Sequence, residues 1–168
     1  MSFNPGQISP LRGITRHITG HNDAGKAVIH SSTPGHWQSF EQAAMAFNVV
    51  YTSQFPANLN KDTDITKHEE SQQSEQLGLV NPDGTSLDYG VVLEGEIEMI
   101  LEDDESVIMK RGDVAVQRAT MHGWRNPSDT EWARLLFVLQ DCQKLSVAGV
   151  EMGEDLGIAT GLLKPSGN

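Results

Sequence analysis

The sequence predicts an all-β protein, a small antiparallel β-barrel, and three observations carry that prediction. From Asp88 to Leu101 the chain is rich in Val, Ile, Leu and Tyr, breaks at Gly95, and then alternates Glu96-Ile97-Glu98-Met99 at the period of two that marks a half-buried strand. Val114 to Arg118 keeps that alternation, and His122, Trp124 and Asn126 share a face beyond the corner Ala119-Thr120-Met121. Trp132 to Leu139 is an apolar run with the length and composition of a buried strand.

Each element follows in order along the chain. Residues 1 to about 57 hold candidate strands at Gly13 to Thr19, Lys26 to Ser31 and Ala46 to Gln54, with Pro56 ending the last. These would supply edge strands of the barrel. Residues 58–84 are polar with few apolar anchors, which predicts a loop, placed at the barrel mouth because it runs into the strand at Ser86. The hairpin from Asp88 to Leu101 ends in the acidic turn Glu102-Asp103-Asp104-Glu105, and Val107-Ile108-Met109 returns. At Lys110-Arg111-Gly112-Asp113 the next turn uses the backbone freedom of Gly112 and the acceptor of Asp113. Val114, Val116 and Arg118 then take one face, and Ala115 and Gln117 the other. Beyond residue 141, Gly149, Gly153, Gly157 and Gly161 allow only brief helices or turns at the periphery.

Composition sets the outer bounds. At 168 residues the chain suits one domain over 1–168 with a substantial core. A net charge of −11 and a pI near 4.8 exclude nucleic acid and anionic membranes as partners, because both would repel such a surface. The start Met1-Ser2-Phe3-Asn4-Pro5-Gly6 lacks the pattern of a signal peptide, and no apolar run is long enough to span a bilayer. Cys142 is the single cysteine and is read as a half-buried small apolar residue rather than a nucleophile. Together these predict a cytoplasmic protein.

The segment from about Ser86 to Leu139 resembles a cupin domain, a single-domain antiparallel barrel of jelly-roll type. In the first cupin motif, over 82–95, Asp88 matches the acidic residue and Gly95 the closing glycine. In the second, over 112–126, Gly112-Asp113, His122 and Asn126 match. The departure is at the first motif, where Pro82 and Gly84 stand at the two histidine positions, so two of the three metal imidazoles are missing. The stretches Asp88 to Glu96 and His122-Gly123-Trp124-Arg125-Asn126, with Arg16 to Val28 near the start, are similar to the cupins of bacterial and fungal secondary-metabolite pathways. One barrel hosts many chemistries, so function has to come from the site.

On that resemblance, His122 and Asp88 are the expected catalytic pair inside the cavity, His122 as general base and Asp88 as proton donor or stabiliser. Without the resemblance, His122 reads as a core histidine bonded to Asn126 or a carbonyl, and Asp88 as a carboxylate serving nearby amides. Arg118, Trp124, Tyr51, Val92 and Asn126 are the expected substrate contacts, with surface pairing the alternative for Arg118 and core packing that for Trp124 and Tyr51. Arg125 and Glu96 are assigned to solvent or an interface. His17, His21, His30, His36 and His68 show no paired spacing and read as exposed.

Three functions remain open at this level. The first is a metal-independent lyase or isomerase that dehydrates, decarboxylates or cyclises a small molecule, with no cofactor. The second is a metal-dependent cupin oxidoreductase or dioxygenase, its divalent transition metal held by His122 and Asp88 with a third ligand such as His68 or Asn81. The third is a non-catalytic cupin that binds a small molecule. A homodimer is expected from pairing of Gly13 to Ser31 with a second copy.

Overall fold

The structure is a computed structural model that describes residues 6–40, 42, 44–54, 56–73, 86–147 and 150–151. The single domain that composition predicts over 1–168 divides by contacts into two compact units, Met1–Gly78 and Leu79–Asn168. Among the described residues every strand pairing is antiparallel, and the fold is all-β with one short α-helix.

In the first unit, β1 (Thr15–His21) pairs with β2 (Ala27–Pro34) around a turn built on Asn22. The Asn22 Oδ1 accepts from the amides of Ala24 and Lys26, and Gly25 takes φ +70°, where a side chain would be strained. A second hairpin joins β3 (Gln38–Phe40) to β4 (Met45–Phe47), closed by an edge-to-face pair of Phe40 and Phe47 at 5.5 Å. Two expectations are corrected here. Among the described residues these strands pair with one another rather than forming edges of the barrel sheets. And the expected loop over 58–84 contains a helix, α1 (Thr63–Gln73), started by Thr63 Oγ1 donating to the Asn60 carbonyl at 2.6 Å. Its buried side is only Ile65 and His68, three residues apart, so the rest of it reads as polar chain.

The second unit is two facing three-stranded sheets. One has the order β10-β5-β8, from Arg134–Asp141, Ser86–Glu94 and Val114–Arg118. The other has β7-β6-β9, from Ser106–Lys110, Glu96–Ile100 and Gly123–Arg125. Two further short strands, β11 (Ser146–Val147) and β12 (Val150–Glu151), pair with each other. Among the described residues the sheets do not close on themselves, so the expected barrel is an open sandwich of jelly-roll kind. The acidic turn expected at Glu102 to Glu105 is a single 3-10 turn, Glu102–Asp104.

Turn chemistry sets the register. Gly95 at φ +73° links β5 to β6, and a Cβ there would stand 2.8 Å from the Trp132 carbonyl oxygen. In the β7–β8 turn, Asp113 Oδ2 accepts from the Lys110 amide at 2.7 Å, while the amide of Gly112, at φ +94°, donates to the Val92 carbonyl at 2.8 Å. Val92, Ile97, Met109 and Ala115 form the buried core between the sheets, with Met99, Trp124, Ala133 and Leu135 packed against it. The apolar run Trp132 to Leu139 is half-buried rather than buried: Leu136 and Val138, 38% and 48% exposed, face away from the opposite sheet.

Candidate functional site

The site grows from the inward face of β5. Asp88, Gly90 and Val92 share that face, and across the register Asp88 stands opposite Gln117 of β8 and Leu139 of β10. Gly90 has a specific reason to lack a side chain. A Cβ there would come within 2.9 Å of Phe137 and 3.5 Å of Trp124, whose rings pack edge to face at 5.2 Å. Trp124 therefore reaches from β9 across the sandwich.

Asp88 is half-buried, and its Oδ1 is buried without a hydrogen-bond partner. Gln117 opposite it is 4% exposed and bonded elsewhere: Nε2 donates to the Met99 sulfur at 2.7 Å, and Oε1 accepts from the Thr120 hydroxyl at 2.6 Å. The Thr120 carbonyl in turn lies 2.8 Å from Nδ1 of His122. Because a carbonyl only accepts, Nδ1 carries the proton in that bond and the neutral ring keeps its lone pair at Nε2. The His122 ring is exposed and sits edge to face with Trp124 at 5.8 Å. An open cavity of about 440 Å³ is lined by Met99, Leu101, Val116, Gln117, Arg118, Thr120 and Leu145.

The expected site residues divide accordingly. Asp88 and Trp124 face the interior, but His122, expected inside the cavity with Asp88, has an exposed ring and is not among the residues lining the cavity, because its chain leaves the strand face at the Ala119–Thr120 corner; contacts from Gln117 through Thr120 lead to it. Arg118 lies on the exposed face of β8, with its side chain contributing to the cavity wall. Val92, expected to touch substrate, is 1% exposed and is core. Asn126, also expected to touch substrate, is occupied by its own turn: Nδ2 donates to the Glu131 carbonyl at 2.7 Å and Oδ1 accepts from the Ser128 amide at 3.0 Å. Arg125 pairs with Glu98 and Glu96 with Lys110 on the surface.

Tyr51 belongs to the first unit and is engaged there. Its hydroxyl donates to Asp64 at 2.6 Å and its ring packs on His68 at 4.6 Å. Burial first, then the bond to and charge of Asp64, push its pKa up to about 12. His68, expected to be exposed, is 1% exposed. Arg16 Nη1 lies 2.6 Å from its Nε2, and the amide and hydroxyl of Thr52 lie 3.1 and 2.9 Å from its Nδ1. Burial, then the Arg16 charge, hold its pKa below the ordinary histidine value. Sequence reasoning missed Gln117 and His68. The available signals were the parity of Gln117 with Ala115 and the Ile65/His68 spacing.

At the two histidine positions of the first motif Pro82 and Gly84 carry no side-chain donor, and among the described residues no group of three His, Cys, Asp or Glu side chains converges. Both His68 nitrogens face Arg16 and Thr52, which removes it as a third ligand. Asn81 lies outside the described residues.

Residues 81–139 match the family described as Cupin domain, a span that takes in both three-stranded sheets up to Leu139. Phomopsin biosynthesis cluster protein D of Diaporthe leptostromiformis is 35% identical over 190 aligned positions, covering 100% of each chain. Cupin-domain-containing oxidoreductase fogC of Aspergillus ruber is 37% identical over 173 positions, covering 89% of this chain and 83% of its own. Cupin-domain-containing oxidoreductase virC of Hypocrea virens is 34% identical over 163, covering 86% and 84%. With relatives matched along its length and the cupin match falling on the paired sheets, the chain belongs to the cupin superfamily.

Proposed function

We propose that this chain is an enzyme of a small-molecule biosynthetic pathway, a lyase or isomerase that moves protons on its substrate at the mouth and interior of the sandwich. The relatives named for biosynthesis clusters support the pathway. The observation that carries the chemistry is Asp88: a carboxylate whose Oδ1 is desolvated and left without a partner, although a buried amide stands directly opposite. An unpartnered buried acceptor costs a fold about 1–3 kcal/mol, a cost a substrate donor would relieve. His122, with its lone pair at Nε2 on an exposed ring, is the complementary base. His122 removes a proton from the substrate, and Asp88 in its carboxylic acid form delivers one to the leaving oxygen or to the carbon or heteroatom that needs it, which serves dehydration, decarboxylation or cyclisation.

The test is a chromosomal Asp88→Asn replacement in the producing organism, followed by mass spectrometry of what accumulates. A precursor equal in mass to the missing product, or differing by water or carbon dioxide, supports the proposal. The second reading is a metal-dependent oxidoreductase, favoured by the names of fogC and virC. A precursor differing by two hydrogens or by oxygen would put that reading first.

A further inference from the structure

We propose that Gln117 and Thr120 are positioning residues that lock the imidazole of His122 in its Nδ1–H tautomer. The consequence for turnover rests on the proton-transfer reading of His122, whereas the tautomer itself is read without substrate.

Gln117 cannot move, being 4% exposed and tied by Nε2 to the sulfur of Met99 on the opposite sheet. Its amide has one satisfying orientation. Reversed, it would set its oxygen against a thioether that has no proton to give. With Nε2 on sulfur, Oε1 must face Thr120, whose hydroxyl donates to it at 2.6 Å.

That bond is placed where the backbone needs it. Ala119, just before, has φ +53°, a left-handed conformation that alanine rarely adopts and that persists only when its surroundings impose it. The Ala119 amide donates to the Ser86 carbonyl at 3.1 Å, and the Gln117–Thr120 bond closes the other side of the corner. The corner thus fixes the direction of the Thr120 carbonyl. That carbonyl takes the Nδ1 proton of His122 at 2.8 Å, leaving Nε2 as the basic nitrogen beside Trp124 and within two residues of the cavity wall at Thr120. A solvent-facing histidine without this carbonyl would distribute its proton between both nitrogens.

Nitrogen-15 NMR of the His122 ring, at a pH where it is neutral, tests this on the whole chain. The wild type should give the Nδ1–H signature. Thr120→Val, which keeps the shape of an exposed residue but removes the hydroxyl, should lower the ratio of Nδ1–H to Nε2–H by roughly fivefold, the worth of one hydrogen bond. Gln117→Leu should do the same, and Thr120→Ser, which restores the hydroxyl, should return the wild-type spectrum. Wild-type ring shifts in Thr120→Val, or a Thr120→Ser spectrum matching that of Thr120→Val, would overturn the proposal. If the tautomer shifts as expected while turnover does not change, the positioning stands and the base role of His122 falls.

Discussion

Asp88 and Gln117 face each other across the β5–β8 register, yet the Gln117 amide is turned to Met99 and Thr120 and gives nothing to the buried Oδ1 of Asp88. A fold selected for stability alone would join such neighbours, since a buried acceptor without a partner is costly. On the proposed function, that free acceptor is where a substrate donor would bind.

Asp88→Asn is therefore expected to separate stability from activity. It keeps the shape of the side chain and breaks no hydrogen bond of Oδ1, so the melting temperature should stay within a few degrees of wild type. Turnover of the natural substrate should fall by about two to four powers of ten. Calorimetry and steady-state kinetics on the same preparation check both, and a variant that loses stability along with activity would mark Asp88 as a structural residue.

Gly90 gives a prediction about the interior. The closest atoms to an added Cβ are ring carbons of Phe137 at 2.9 and 3.3 Å, with Trp124 at 3.5 Å. Gly90→Ala must push an aromatic pair apart and should destabilise by about 1–3 kcal/mol, with a changed tryptophan emission. Unchanged stability in urea would mean that the rings have room to move.

Asn126 and His122 both match the second motif, but they should behave differently. Asn126 ties its turn through the Glu131 carbonyl and the Ser128 amide. Asn126→Ala should cost about 1 kcal/mol of stability and leave kcat near wild type, while His122→Ala should abolish turnover and leave stability unchanged.

The strands of the second unit were legible because one face of each is apolar and the turns carry glycine at Gly95 and Gly112. The inward parity of Asp88 and Trp124 followed from the same period of two. Three features were not legible. Among the described side chains of α1 the buried ones are Ile65 and His68, so the helix has almost no apolar stripe to show. Arg118 and Gln117 are neighbours on opposite faces, and a sequence shows alternation without showing which side is covered. Val92 looked like a substrate contact because core and cavity residues on one strand face share the same parity.

His68 predicts a pH dependence of the first unit. Its folded pKa lies below the unfolded value of about 6.5, because burial and then Arg16 disfavour the charged ring. Below about pH 6.5 the unfolded chain takes up a proton that the folded chain does not, so stability falls with pH until the folded pKa is reached. The slope approaches about 1.4 kcal/mol per pH unit for one group. Hydrogen exchange of the α1 amides between pH 5 and 7.5 should show this, and His68→Phe should flatten it; an equal slope in that variant would assign the effect elsewhere.

The final prediction concerns metal. The positions that would supply two imidazoles hold Pro82 and Gly84, and among the described residues no three His, Cys, Asp or Glu side chains converge. Three protein ligands are usual for a tightly held catalytic ion, and proton transfer by an imidazole and a carboxylate needs none. Dialysis against a chelator should therefore leave turnover within about twofold, whereas His122→Ala should remove it. Elemental analysis of the purified protein is the companion measurement. A stoichiometric transition metal whose removal stops turnover and whose return restores it would overturn the acid–base proposal, and a ligand outside His122 and Asp88 would then have to be found.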